Sequence, residues 1–414
     1  MSARSWRSLV VRLSCVVTSV AWAQSTCDEA LTRANLVACA HERSPALASE
    51  AAALRSAEGR REAARPLLPS NPVLSGSLAS RTGPDARATN WSLTLAQELE
   101  IAGQSGLRVE AAEAELVSQA QQMRVVRASV AEATWLAWFS ALAARERVQL
   151  ARRIEAASLE VAQTAAGMVA HGLGSTVDAA VADAASVAAS QRRIDAEAAA
   201  GAAEIRLRQL VGVSPDAAWS GTLEPLRVEA PSATRRPELA ALEALLQASA
   251  RRVEALRRSR APNPTLSVFA QNDGFDEKVF GVGVGLPIPL PQPLGRTRAG
   301  EIAEAVGAEE RLHAELELLT RALNVERELA AQAHARGLAA RALYSPPRTA
   351  RASEALAAIG AQVAAGRWSV REALASQRSL VEFLEAEVDA REALCAASVR
   401  LIRTHGGSLE GGGL

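Results

Sequence analysis

The sequence predicts a mainly helical fold with a small β part, built as two copies of one plan. The first observation is a repeat. Asn71-Pro72-Val73-Leu74-Ser75 returns 192 residues later as Asn263-Pro264-Thr265-Leu266-Ser267. Gly172-Leu173-Gly174-Ser175-Thr176-Val177-Asp178 returns in outline 194 residues later as Gly366-Arg367-Trp368-Ser369-Val370-Arg371-Glu372. Two landmarks in one order at nearly one spacing identify an internal duplication, with a period too long for a solenoid unit. The second observation is a proline-free stretch of strong helix formers from 104 to 170. The third is a pair of segments with two-residue alternation after each Asn-Pro, the period of a half-exposed strand.

Residues 1–23 read as a secretory signal. Arg4, Arg7 and Arg12 form a basic start, Leu13 to Ala23 is a short apolar run, and Ala21-Trp22-Ala23 places small residues where a signal peptidase needs them. The chain carries 46 basic and 46 acidic residues, so loss of these three arginines leaves a net charge of minus three. That balance excludes the basic surface of a nucleic-acid binder. A lipid-attachment motif wants small or aliphatic residues before its cysteine, and neither Arg12-Leu13-Ser14-Cys15 nor Gln24-Ser25-Thr26-Cys27 fits it well, so acylation is the lesser reading. Cys27 and Cys39 allow a local disulfide in an oxidising compartment and do not require one.

The predicted strands are about 72–82 and 88–98 in the first half, and about 264–271 and 278–287 in the second. Arg81 to Arg87 and Asn272-Asp273-Gly274 supply the turns. Trp91, Leu93 and Leu95 alternate with Ser92, Thr94 and Ala96, while Phe280, Val282, Val284 and Leu286 alternate with Gly281, Gly283 and Gly285. Strands of about ten residues with one apolar face suit the lipid-facing wall of a barrel, although a surface hairpin packed on helices has the same alternation. Four strands cannot close around a channel. Three copies of the chain supply twelve and leave no unpaired edge. No segment has the 18 apolar residues of a spanning helix, so membrane contact falls to the strands, a lipid or a surface helix.

Each strand pair leaves through glycine and proline: Gly103-Gln104-Ser105-Gly106, and Pro287 to Gly295. Residues 104–170 as a helix span about 100 Å, more than a globular monomer buries. Val109, Leu116, Met123 and Val130 recur in heptads along it, and Leu374, Val381, Val388 and Cys395 do so on the return helix at 371–404. A helix at about 177–210 returns from Gly172-Leu173-Gly174-Ser175, and another at 237–260 completes the way back. The second descent runs from about 296 to 365, where Pro346-Pro347 is expected to bend or interrupt it. The N-terminal helix at 43–66 supplies the missing last leg, so the halves form a circularly offset duplicate. The domains are thus 24–260, a first repeat with its N-terminal helix and a hairpin at about 104–210, then 261–404, a second repeat with helices at about 296–404. A tail at 405–414 is expected to be flexible.

Nothing in the sequence points to catalysis. His41, His171, His313, His334 and His405 are dispersed without metal-ligand spacing, and no nucleophile elbow, phosphate loop or Cys-x-x-Cys occurs. Glu100, Glu110 and Glu113 read as solvated or lumen-facing charges, His171 as a helix-end residue and Cys395 as a buried thiol. No cofactor, metal site or catalytic residue is expected.

The paired Asn71-Pro72 and Asn263-Pro264 strand starts, the Pro-Leu-Pro-rich exit at 289–295 and the two Gly-x-x-Ser turns with an acid three residues on resemble the TolC-like outer-membrane efflux proteins. The likeness is strongest to the CzcC/CusC-like branch that serves resistance-nodulation-division exporters, and it covers about 36–404. It implies a homotrimer with a twelve-stranded outer-membrane β-barrel, four strands per chain, set in outer-membrane lipid and continued by a long periplasmic α-helical barrel. It further implies a passive duct for heavy-metal cations or small toxic compounds, joined to a periplasmic adaptor protein and through it to an inner-membrane pump. Gly172, Ser175, Asp178, Gly366, Trp368, Ser369 and Glu372 would then lie at adaptor-facing tips, with Trp368 as a contact and Asp178 and Glu372 as candidates for a charged constriction. The other classes weighed are a periplasmic adaptor, which needs larger β domains beside one hairpin, and a structural coiled-coil protein, which leaves the strand pairs unexplained.

Overall fold

The computed structural model of the chain describes residue 27 and residues 30–82, 87–228, 236–273, 277–288, 290 and 297–410. The signal segment, the turn at 83–86, Gly274, the proline run at 291–295 and the end of the tail lie outside the described residues. Among the described residues the order is β1 (Ala30–Leu31), α1 (Leu36–Arg43), α2 (Pro45–Ala64), β2 (Val73–Thr82), β3 (Arg87–Glu98), α3 (Gln104–Ala170) and α4 (Thr176–Val211). Then follow β4 (Ala218–Trp219), α5 (Pro237–Arg258), β5 (Thr265–Asn272), β6 (Lys278–Gly285), α6 (Ala299–Leu343), α7 (Pro346–Ala364) and α8 (Val370–Thr404).

The long outward helix is continuous over 67 residues, about 100 Å, because no proline or paired glycine interrupts its hydrogen-bond ladder. It is the spine of the chain: α2, α4, α5, α7 and α8 all pack on it. The second descent is broken, as the double proline requires. Leu343 ends α6, Ser345 adopts extended backbone, and Pro346 opens α7 at the first helical position, where its missing N–H costs no hydrogen bond. Tyr344 at the break packs against Phe383 of α8 in a tilted arrangement, with ring centroids 5.2 Å apart.

Strands β2-β3-β5-β6 form one antiparallel sheet in that order, so the two repeats meet along β3 and β5. Its register puts Leu95, Val268 and Val282 in one row and Leu93, Ala270 and Phe280 in the next. The adjoining rows on the opposite face are Ser75, Thr94, Phe269 and Gly281, and Ser77, Ser92, Gln271 and Val279. Phe269 therefore lies on the small and polar face, and its ring covers Gly281, where a Cβ would come within 2.4 Å of it. The sequence-predicted strand ends shift by one or two residues; the last strand stops at Gly285 because Pro287 cannot donate to a ladder.

Two cores hold the helices. One lies around the middle of α3 and joins Trp135, Trp138 and Phe139 to α1, to the connection after α4 and to the end of α8. The other lies nearer the helical turns and joins Val161 of α3, Ala182 of α4, Ile359 and Val363 of α7, and Ala373 and Val381 of α8. The heptad residues divide between them unevenly. Val381, Val388 and Cys395 are buried, whereas Val109, Leu116, Met123 and Val130 are half-buried in the single chain. Along α6, Leu318, Val325, Leu329, Leu338 and Leu343 are exposed.

Three features depart from the sequence reading. A short helix α1 precedes α2, separated by Ser44-Pro45, where the Ser44 hydroxyl caps the new helix by accepting from Leu47 N at 3.4 Å. A two-residue parallel bridge pairs Ala30 with Ala218 and Leu31 with Trp219. The tail expected to be flexible is fastened through Glu410: Leu409 is buried, and its carbonyl accepts from Trp135 Nε1 at 3.0 Å. Pairs of residues carry too little periodicity for a two-residue bridge to stand out in a sequence.

Candidate functional site

The two helical turns are built alike. In the first, Gly172 takes φ 71°, with Gly172 N donating to Val169 O and Leu173 N to Met168 O. In the second, Gly366 takes φ 66°, with Gly366 N donating to Val363 O and Arg367 N to Gln362 O. This is a Schellman closure, and the left-handed residue at its centre favours glycine. Ser175 and Ser369 then cap the return helices, accepting from Val177 N at 3.2 Å and from Glu372 N at 3.3 Å. His171 ends the first long helix, its Nδ1 lying 2.8 Å from Gly167 O, which is the helix-end role read from the sequence.

The turns then diverge. At Gly174 a Cβ would meet Met168 Cβ at 2.9 Å, whereas the equivalent position in the second turn carries Trp368, which is 37% exposed. Glu372 closes a capping box, its carboxylate accepting from Ser369 N at 2.9 Å and from Ser369 Oγ at 2.8 Å. Asp178 instead reaches the other hairpin and pairs with Arg371 at 3.2 Å. The structure thus brings all seven predicted turn residues to one end of the chain's two hairpins, with both carboxylates already engaged. Beneath them, buried Gln377 of α8 donates to Ser158 Oγ of α3 at 2.5 Å and fixes the register of the two hairpins.

Hydrogen bonds from the Ser369 backbone and then its hydroxyl hold the Glu372 carboxyl below the usual carboxylate range. A depressed folded pKa contributes stability that is present above the unfolded value and is lost as pH falls through the folded one. After correction for intrinsic chemistry, amide exchange at Ser369 and Glu372 is expected to quicken below the ordinary carboxylate range. Glu372→Gln should abolish that pH response, and the same response in the variant would rule out the capping box as its origin.

The strand starts are not equivalent. Asn263 is built into a network: Gln104 Nε2 donates to Asn263 Oδ1 at 3.1 Å, Asn263 Nδ2 to Glu98 Oε1 at 2.8 Å, and Leu99 N to Pro264 O at 2.9 Å. It therefore ties the end of β3 to the start of α3. Asn71 and Pro72 are exposed, and Gln97 Nε2 holds that side of the sheet through Ser70 O at 2.9 Å.

The sheet has one continuous apolar face turned outward in the single chain: Phe280 and Val282 are each 76% exposed and Val284 73%. Such a patch is unusual on a soluble monomer. The opposite face carries Ser75, Ser77, Ser92, Thr94 and Gln271, with Ser77 and Ser92 hydroxyls 2.8 Å apart. Among the described residues, no helix is long and apolar enough to cross a membrane, and no three His, Cys, Asp or Glu side chains are grouped to hold a metal ion.

Sequence reasoning missed the belt at mid-helix. Trp138 and Trp219 rings lie 5.4 Å apart, Arg145 Cζ sits 3.2 Å above the Trp219 ring, and Arg391 joins Glu146 at 2.6 Å and Leu223 O at 3.1 Å. Trp135, Trp138 and Phe139 within five residues of an aromatic-poor chain were the available signal. Cys27 and Cys39 are joined in a disulfide within this belt. Cys395 is the buried free thiol read from its heptad position, and burial pushes its pKa up to about 12.

The family of outer membrane efflux proteins matches residues 36–213. No curated protein matches the chain in sequence. Among solved structures, the outer membrane protein VceC of Vibrio cholerae is similar with a TM-score of 0.74 at 20% identity, covering 91% of this chain and 96% of that one. The channel CusC gives 0.75 at 17% identity, covering 90% and 92%, and the open-state MtrE outer membrane channel of Neisseria gonorrhoeae gives 0.74 at 18% identity, covering 91% and 89%. Residues 36–213 thus match the outer membrane efflux protein family, and the chain carries the mainly helical fold of those solved channels, with its small β part, across both repeats.

Proposed function

We propose that three copies of this chain form an outer-membrane channel, the exit duct of a tripartite efflux system, and that it conducts passively and performs no catalysis. The observation that carries this reading is the open four-stranded sheet with one exposed apolar face, a polar opposite face and free edges at β2 and β6. Such a sheet is unstable in water and useful in a bilayer once its edges close. Joining β6 of one copy to β2 of the next closes twelve strands, turns Phe280, Val282 and Trp91 to lipid, and lines the bore with serine, threonine and glycine. The half-buried heptads of α3 and the exposed leucines of α6 then pack between copies, continuing the barrel as a helical tunnel through the periplasm.

The helical turns lie about 100 Å from the strands and form the face offered to a periplasmic adaptor, which links the duct to an inner-membrane pump. Rigid Schellman turns present Leu173 and Trp368 to that partner; Leu173 is 76% exposed. Among the described residues no His, Cys, Asp or Glu cluster is grouped to hold a metal ion; heavy-metal cations and small toxic compounds are both compatible cargo, with selection assigned to the pump and adaptor. A coiled-coil role without a channel leaves the exposed sheet face unexplained.

Full-length protein purified from outer membranes in detergent should appear by electron microscopy as a three-fold particle at least about 100 Å long, and should conduct in planar bilayers. Recovery only as a soluble monomer would overturn the reading. Neutralising both tip carboxylates, Asp178→Asn with Glu372→Gln, tests them as a charged constriction. A changed cation-over-anion selectivity is expected if they line the pore, and unchanged conductance and selectivity would confine them to the turn and cap contacts described above.

A further inference from the structure

We propose that Cys27 and Cys39 are an oxidative maturation site: the disulfide consumes Cys27, so that this cysteine carries no thioether-linked lipid, and it fastens the N-terminal segment to the mid-helix belt. Cys27 is 3% exposed and Cys39 is fully buried, both in the core that contains Leu31, Leu36, Trp135 and Trp219. The backbone between them is set for closure. Thr32 N donates to Asn35 Oδ1 at 2.8 Å, Asn35 Nδ2 donates to Ala30 O at 2.9 Å, and Leu31 pairs with Trp219 in the parallel bridge. These contacts bring the two Cα atoms to 5.7 Å, within the range that a disulfide spans.

Two fates of Cys27 exclude each other, because its sulfur forms one bond beyond Cβ, either to Cys39 or to a glyceryl carbon. Position favours the first. His41 Nε2 lies 3.0 Å from Arg127 O, and Arg33 Cζ lies 5.8 Å from the Trp135 ring centroid. These contacts set the N-terminal segment beside residues 127–135 of α3, roughly 35–45 Å along the helix from its start at the strands. A membrane acyl chain extends about 15 Å, half of a hydrocarbon core of about 30 Å. A lipid on Cys27 could not reach the bilayer with the belt folded. This step rests on the barrel reading; the disulfide does not. Closure removes two protons and two electrons from the thiols, which pass by thiol–disulfide exchange to a disulfide-bearing donor protein of the oxidising compartment.

The test is a tryptic map of the full chain recovered from cells, alkylated under denaturing conditions without reductant. The peptide ending at Arg33 and the peptide Ala34–Arg43 are expected to travel as one linked mass that separates on reduction, with no diacylglyceryl mass on Cys27. A lipidated Cys27 peptide, or both cysteines alkylated before reduction, would overturn the proposal. Cys27→Ser, Cys39→Ser and the double variant should lower the unfolding midpoint equally, the double adding nothing, while membrane retention stays unchanged. Loss of retention in Cys27→Ser alone would restore a lipid role. Linked peptides from a protein that never enters the membrane would sink the channel reading and leave the disulfide site standing.

Discussion

Replacing Val268 with arginine is expected to abolish assembly into the outer membrane, whereas arginine at Ser92 should be tolerated. Val268 sits between Leu95 and Val282 on the apolar face, near the middle of β5. An arginine near the bilayer midplane on the lipid face of a barrel costs about 2–4 kcal/mol. In the proposed three-fold assembly every copy would carry that cost, for a total of roughly 6–12 kcal/mol. Ser92 lies on the opposite face beside Ser77 and Gln271, where water in a bore would solvate the guanidinium. The measurement is the fraction of each variant that reaches outer membranes as trimer. Equal loss in both would show that the two faces are not distinguished by lipid and would defeat the barrel.

Truncating Trp138 to alanine should be the most damaging single change in the helical part, costing about 3–5 kcal/mol. Trp138 is fully buried, meets the Trp219 ring, and packs so closely on Gly221 that a Cβ there would come within 2.5 Å of its ring. The cavity left behind would open between α3 and the connection after α4, beside Trp219. Trp368→Ala serves as the comparison, since a partly exposed turn residue away from a core typically changes stability by no more than about 0.5 kcal/mol. Denaturant unfolding in detergent, followed by far-ultraviolet circular dichroism, separates the two. Equal midpoints for the two variants would show that the belt does not act as a core.

These two predictions draw on different kinds of legibility. The faces of the sheet could be read from Trp91, Leu93 and Leu95 against Ser92 and Thr94, because strand side chains alternate with a period of two and need no partner to declare their sides. The 67-residue helix, its glycine turn and the break at Pro346 were legible for a similar reason: backbone rules for glycine, proline and helix caps act within a few residues. The belt was not. Trp138 meets Trp219 across 81 positions of chain, and Arg391 reaches Glu146 and Leu223 from the far end, so no local pattern contains either contact.

The candidate site divides in the same way. Gly172, Gly366, Ser175 and Ser369 were found from spacing, since each satisfies backbone groups of its own turn. The pairing of Asp178 with Arg371, the capping box that absorbs Glu372 and the Asn263 bridge between Glu98 and Gln104 required the neighbouring elements to be in place.

By itself, then, the sequence determined the duplicated plan, the amphipathic strands and the positions where long helices begin, break and turn, all set by local sterics and by the periodicity of apolar residues. Tertiary structure alone decided the order of strands in the sheet, the belt that locks the middle of the spine, the joining of Cys27 to Cys39, and which acidic residues are already paired. Those outcomes depend on surfaces distant in the chain coming within contact range, and packing and charge act there through a few ångströms of space that residue spacing does not encode.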